Sequence, residues 1–430
     1  MSWITHIAGG RIIDPVNAVD AVGDLWIGDG VICGSPPGPP SETIEATGLL
    51  VVPGLVDPHV RFAEPGYEED ETIASGSAAA AAGGVTTVGC LPETRPVIDT
   101  QATVEFVSLQ AERSGRCRVR PIGAVTKSRE GEELSEIGQL VEGGAAALSD
   151  GRDPIRNAEI MRRALQYAGM FNLVIMHRPQ VPELVEGGVM HDGLVSTRLG
   201  LPGMASAAEE IMVRRDIALA EVTGSRLHLM SLSSAISVEE VADARDRGVR
   251  VTCDVTPYHL LFTEDDLAGF DPAFKLDPPL RTEADRAALI RGVVDGTIDC
   301  IASDHRPVAA EKKDVELDNS PFGLAGVETL LPLSAETLVH SGLMSWPDLI
   351  DRLSPAAARL LNEPAGSLAA GARADITLID PDAPWTVDVA AFHSKSRNTP
   401  LDGMPMTSRV VRTLLAGRTV FSIDEPFDTD

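Results

Sequence analysis

The hydrophobic pattern of the chain changes period twice. Up to residue 54, short apolar runs alternate with polar positions and break at glycine turns, as in WITHIAGGRIID, DLWIGDGVICG and TIEATGLLVVPG. Period-two alternation closed by glycine predicts the strands of a small sheet. From residue 55, apolar strand-like runs alternate with Ala/Glu/Arg-rich helical runs. GVTTVGC leads to TVEFVSLQAER, VRPIGAV to ELSEIGQLVEGG and AAALSD to NAEIMRRALQYAG. LVIMH precedes a loop and AAEEIMVRRDIALAEVTG, RLHLMSL precedes VEEVADARDRG, and VRVTCDV and TIDCIASDH complete the series. Strands alternating with helices of about 10 to 15 residues predict parallel βα units. There are enough of them to close a (β/α)₈ barrel of roughly 250 to 300 residues. Near residue 365 the strand texture returns, in AGARADITLIDPD and VVRTLLAGRTVFS. The expected architecture is therefore α/β: a TIM-type barrel over 55–364, flanked by a composite β-sandwich domain built from both ends, 1–54 and 365–430.

Composition excludes several classes. A 43% hydrophobic fraction over 430 residues supports a substantial core, and the 4% aromatic content rests that core on Val, Ile, Leu and Ala. The net charge is −28, from 36 basic and 64 acidic residues. Such a surface repels phosphate backbones and anionic lipid, so neither nucleic acid nor membrane is an expected partner; the excess acid also serves solubility. The five cysteines, Cys33, Cys90, Cys117, Cys253 and Cys300, are widely spaced and form no CxxC. Cys90, Cys253 and Cys300 fall in apolar strand-like runs and read as small buried hydrophobes in a reducing cytoplasm. The start MSWITHIAGG lacks a basic region and a long apolar run, and no window approaches the ~18 apolar residues of a membrane span. The expected location is cytoplasmic.

In a barrel of this kind, function gathers at the C-terminal ends of the strands. The polar residues closing the apolar runs are His59, Asp150, His177, Ser231 and Asp304. Two imidazoles and two carboxylates from separate strand ends suit zinc, and they equally suit ordinary hydrogen bonding; spacing does not decide. His228 alternates away from the neighbours of Ser231 and reads as a core residue. His191, His259 and His305 read as local structural histidines, and Lys127 is not expected to bridge a metal.

The wording of several segments is more specific. GLVDPHVRFAEPGYEEDETIASGSAAAAAGGVTTVGCLPETRPVIDT resembles the opening barrel segment of the dihydroorotase family, cyclic amidohydrolases of the amidohydrolase superfamily. VEGGVMHDGLVSTRLGLPGM, DVTPYHLLFTEDDL, DPPLRTEADRAAL, ASDHRPV, PFGLAGVETLLPL and HSKSRNTPLDG resemble it too, in matching order over nearly the whole chain. The resemblance implies the barrel, the flanking β domain and a binuclear zinc site. Two metals would polarise an amide carbonyl and activate a bridging water.

Carried over by position, that site is incomplete. His59 matches the first His of an HxH pair, whose second member is Arg61, so the motif reads HVR. Asp150 matches the bridging aspartate and His177 the third ligand, now followed by Arg178 and Pro179. Ser231 replaces the fourth ligand, and Asp304 is retained as the ligand that also serves as catalytic acid/base. The residues that remain are a partial set, with too few ligands for two zinc ions; none or one zinc is expected. Arg61 is expected to supply the missing positive charge to Asp304 or Asp150, or else to face solvent. The family's substrate-binding positions hold Ala63, Glu93, Asp277 and Val308, and the added acids are expected to reverse the local field against an anionic substrate.

Two readings follow. One is a non-catalytic dihydroorotase-like protein of pyrimidine biosynthesis, a pseudoenzyme resembling the degenerate barrels that assemble with aspartate transcarbamoylase. The other is a mononuclear zinc cyclic-amide hydrolase with Asp304 as acid/base. A homo-oligomer is expected in either case.

Overall fold

A computed structural model describes residues 3–424; the outer ends of the expected terminal segments, 1–2 and 425–430, lie outside the described residues. Eight parallel strands form a near-closed barrel in sequential order. They are Leu55–Val60, Val85–Cys90, Arg118–Gly123, Ala147–Leu148, Ile175–His177, Leu227–Leu229, Val251–Val255 and Cys300–Ile301. The last returns to the first through Arg61 N–H to His305 O at 2.8 Å and through Ser303 N–H to the Asp57 carboxylate at 3.2 Å.

Helices cover the outside, and their ends are written in the sequence. Thr72 and Thr100 cap Ile73–Ala82 and Gln101–Ser114, and Gly224 and Gly296 close Ala207–Thr223 and Glu283–Asp295 in the left-handed conformation. The largest core lies between these helices and the strands. It is aliphatic, with Leu55, Val60, Ile73, Val104, Leu148, Ile175, Leu229, Val255 and Ile301 fully or almost fully buried.

The two ends of the chain meet in one sheet of eight strands. The N-terminal part contributes Ile4–Asp14, Val19–Gly28, Val31–Cys33, Glu42–Glu45 and Leu50–Pro53; the C-terminal part contributes Ile376–Asp380, Arg409–Leu415 and Arg418–Ser422. The junction is Leu50–Pro53 paired antiparallel with Ile376–Asp380, one residue before the first barrel strand. The sheet is thereby tied to the barrel wall on the side of strand one. All five cysteines are free thiols, Cys33 partly exposed and the other four buried. Among the described residues no helix is long and apolar enough to cross a membrane.

Candidate functional site at the barrel mouth

The strand ends deliver the expected residues to one end of the barrel. His59 lies within strand one, Asp150 two residues beyond strand four, and His177 at the end of strand five. Ser231 and Asp304 follow strands six and eight in left-handed turns, with φ of 51° and 45°. A positive φ in a non-glycine residue is unusual, and here it turns each chain sharply as it leaves its strand.

His59 is held between two carboxylates. Its Nε2 is 2.8 Å from Asp254 Oδ2 and its Nδ1 is 3.6 Å from Asp304 Oδ1. Burial disfavours the charged ring, but Asp254 and Asp304 outweigh it and push the imidazole up to about 10. Asp254 also accepts from His228 Nε2 at 2.7 Å and from Ser231 N–H at 2.8 Å. Although burial raises its pKa, His59 and His228 hold its carboxyl well below the ordinary range. The core role read for His228 is thus specific: it supports Asp254 from below, with Nδ1 on Thr252 Oγ1 at 2.9 Å.

His177 is committed at both nitrogens. Nε2 accepts the Ile155 backbone N–H at 2.9 Å, so the ring proton is assigned to Nδ1, which donates to Asp216 Oδ2 at 2.7 Å. Asp150 accepts Thr126 N–H at 3.0 Å and Thr126 Oγ1 at 2.5 Å. Burial nevertheless pushes its carboxyl up to about 6. The Ser231 hydroxyl is buried without a hydrogen-bond partner among the described residues.

These residues do not fit a zinc pair. A ligating histidine presents a neutral ring nitrogen with a free lone pair. The acceptor nitrogen of His177 already holds a backbone N–H, and Arg61 and Ser231 supply no imidazole, although His59 Nδ1 is buried without a hydrogen-bond partner among the described residues. Among the described residues no three His, Cys, Asp or Glu side chains converge as a ligand set.

The cations differ from expectation. Arg61 reaches neither Asp304 nor Asp150 and does not face solvent. It is 9% exposed, its Nη1 donates to Asp70 Oδ2 at 3.1 Å and to Pro307 O at 3.3 Å, and its guanidinium lies over the Tyr67 ring. The physical reason is that strand one ends at Val60, so Arg61 meets the loop carrying Tyr67 and Asp70 instead of the barrel axis. Arg152 stands beside Asp304 instead, Nη2 to Oδ2 at 3.5 Å.

The added acids do not reverse the field, because each has its own arginine. Glu93 pairs with Arg306 and accepts Arg152 N–H at 3.0 Å. Burial opposes the charge, yet Arg306, Arg129 and Arg152 hold the Glu93 carboxyl down to about 2. Asp277 faces Arg178 Nη2 at 3.1 Å and accepts Gln180 Nε2 at 3.0 Å. Burial and the neighbouring Arg306 lower Arg152 to about 10, well above neutrality, so it keeps its charge. Ala63 is fully buried, and Val308 is buried with its N–H on Asn398 Oδ1 at 3.1 Å; neither places a polar side chain in the mouth.

Sequence reasoning missed Asp254, Arg152 and Arg306. Asp254 was legible as a lone acid in the apolar run VRVTCDV. Arg152 and Arg306 each lie two residues after a candidate acid, Asp150 and Asp304. Lys127 pairs with Glu133 at the surface, away from any bridging position. His191 meets Arg281 Nη1 at 3.2 Å, His259 bonds Thr256 Oγ1 at 2.7 Å, and His305 Nδ1 accepts Gly326 N–H at 3.1 Å. All three are held by local hydrogen bonds.

The dihydro-orotase-like family model matches residues 48–237. A protein of Pelotomaculum thermopropionicum named dihydroorotase is 46% identical over 417 residues, covering 96% of this chain and 97% of that protein. Another, from Trichlorobacter lovleyi, is 42% identical over 420 residues, covering 97% and 99%. The chain belongs to the dihydroorotase-like family. Among solved structures, the L-hydantoinase (dihydropyrimidinase) of Arthrobacter aurescens aligns with a TM-score of 0.87 at 23% identity, over 98% of this chain and 96% of that one. Dihydropyrimidinase from Brevibacillus agri aligns with a TM-score of 0.83 at 21% identity, over 97% and 95%. At that identity the likeness establishes the fold alone, a (β/α)₈ barrel with a flanking sheet.

Within this dihydroorotase-like chain the segment HSKSRNTP braces the mouth from behind. Ser394 Oγ and Lys395 N–H bond Glu71, and Ser396 Oγ donates to Asp70 O at 2.8 Å. Asn398 Nδ2 donates to Gly323 O at 3.0 Å. The loop carrying Tyr67, Asp70 and Glu71 is thus held from one side by this segment and from the other by Arg61.

Proposed function

We propose that this chain is a non-catalytic dihydroorotase-like protein of pyrimidine biosynthesis, which acts as a structural partner of aspartate transcarbamoylase. The observation that carries this reading is the state of the two retained histidines. The His177 acceptor nitrogen is filled by Ile155 N–H, and His59 is held by Asp254 at 2.8 Å with Asp304 3.6 Å from its other nitrogen. The braced loops support it as well, since a scaffold kept in order serves a partner as well as a substrate. Assay of purified protein for metal and for hydrolysis of dihydroorotate tests the reading. The expected result is substoichiometric zinc, no turnover, and co-purification with a transcarbamoylase chain. About one zinc per chain, with turnover abolished by Asp304→Asn, overturns it.

A second reading is favoured by the 46% identity, over 96% of the chain, to a relative named dihydroorotase. It is a mononuclear zinc cyclic-amide hydrolase held by His59, Asp150 and Asp304, with Asp304 as acid/base. It requires His59 to lose its proton and its contact with Asp304, so zinc uptake would release a proton. A pH-stat titration with zinc that detects no release excludes it.

A further inference from the structure

A second polar pocket lies at the opposite end of the barrel. The N-terminal ends of strands six and seven and the helix Pro355–Leu360 enclose about 230 Å³. That is smaller than the roughly 300–1,000 Å³ of sites for drug-sized ligands. Arg226, Arg250 and Arg359 line it, together with Thr252 and Asp299.

Arg226 and Arg250 are oriented but not neutralised. Arg226 Nη1 donates to Asn172 O at 3.1 Å and Asn362 Oδ1 at 2.6 Å, and its Nη2 donates to Arg359 O at 3.1 Å and Leu360 O at 3.0 Å. Arg250 reaches Gly224 O at 3.5 Å and Asn172 Oδ1 at 3.4 Å. Every one of these acceptors is uncharged. A guanidinium has five donors, so Arg226 keeps its Nε–H and Arg250 keeps most of its fork. Burial and the neighbouring guanidinium of Arg250 lower the pKa of Arg226 from its usual value, as expected of two cations without an anion between them. Asp299, the one carboxylate among the described residues of the lining, uses its Oδ2 for Arg245 and for Cys253 N–H at 2.8 Å. Arg359 is 3.6 Å from Asp351 in a solvent-exposed contact, which is worth little. In a chain of net charge −28, a cavity lined by three arginines runs against the general field.

We infer that this basal pocket binds a small oxyanion, a phosphate or a carboxylate, between Arg226, Arg250 and Arg359. The pocket also touches His228 and Thr252, which support Asp254 at the mouth. Asn172, bonded to Arg226 through its carbonyl and to Arg250 through its side chain, sets the spacing of the clamp.

Calorimetric and thermal-shift titrations with inorganic phosphate, against sodium chloride at matched ionic strength, test it. The expected result is saturable phosphate binding to the full chain. The double substitution Arg250→Gln/Arg359→Gln should weaken binding more than about tenfold, because two charge-assisted contacts are lost. Both residues are exposed, so this variant keeps its circular dichroism spectrum and melting profile. Arg152→Gln at the mouth should leave phosphate affinity unchanged. Succinate, titrated in the same way, distinguishes a carboxylate ligand from a phosphate. Absence of saturable binding beyond the chloride control, or loss of binding in Arg152→Gln but not in the basal variant, overturns the proposal.

Discussion

The two ends of the barrel treat arginine differently. At the mouth each guanidinium faces a carboxylate: Arg152 with Asp304, Arg178 with Asp277, Arg306 with Glu93, Arg61 with Asp70. At the base, Arg226 and Arg250 hold only carbonyl and amide oxygens. Burial explains the contrast. Glu93 and Arg178 are 5% and 3% exposed, and a charge that deep is tolerated only with an opposite charge beside it. Arg250 is open to water, which screens it at little cost. The contrast teaches that the guanidiniums buried at the mouth are paired with carboxylates, while Arg226 and Arg250 at the base have only uncharged acceptors.

Breaking the mouth should cost most where one acid serves several partners. Asp254→Ala removes the acceptor of His59, His228 and Ser231 N–H, and should lower unfolding free energy by about 3 kcal/mol or more in urea titration. A loss below about 1 kcal/mol would mean that the cluster is not coupled as described. Glu93→Gln should cost about 2 to 3 kcal/mol by leaving Arg306 unpaired. The double variant Glu93→Gln/Arg306→Gln should recover part of that loss, and a cycle showing strict additivity would refute the pair.

The pH dependence of stability sharpens the same contrast. His59 is raised to about 10, so its contribution is complete below roughly pH 6.5 and lost as pH rises through about 10. Asp150, raised to about 6, contributes below roughly pH 4, and that contribution is lost as pH climbs through about 6. Melting temperature should therefore fall on the alkaline side, and Asp254→Asn should move the His59 phase to lower pH in an NMR titration. Thr126→Val, which removes the hydroxyl donor to Asp150, should cost about 1 kcal/mol and raise the Asp150 midpoint further. At the base, Arg250→Gln should change stability by no more than about 0.5 kcal/mol. A larger loss there would show that the basal arginines hold the fold together instead of standing open.

Much of this was legible along the chain. Alternation of strand-like and helical runs indicated the barrel, and the return of period-two texture near residue 365 indicated one domain from both ends, expected as a β-sandwich and found with its strands in one eight-stranded sheet. The residues closing the runs LVDP, AAALS, LVIM, LHLM and CIAS do arrive at one barrel end, because strand direction alone sends them there. The partner of Arg61 was not legible. Asp70, Asp150 and Asp304 were all acids of the right charge, and the path of the chain after Val60 chose Asp70.

By itself the sequence determined the order of the strands, the family, and the absence of imidazole at positions 61 and 231. Those follow from local period and residue identity. Only the tertiary structure decided which charge meets which. His59 and Asp254 are 195 positions apart and Arg152 and Asp304 are 152 apart, and the proton of His177 is placed by the Ile155 backbone. A titrating group responds to whatever stands within a few ångströms and to how much water is excluded. That neighbourhood exists only once the barrel has brought its strand ends together.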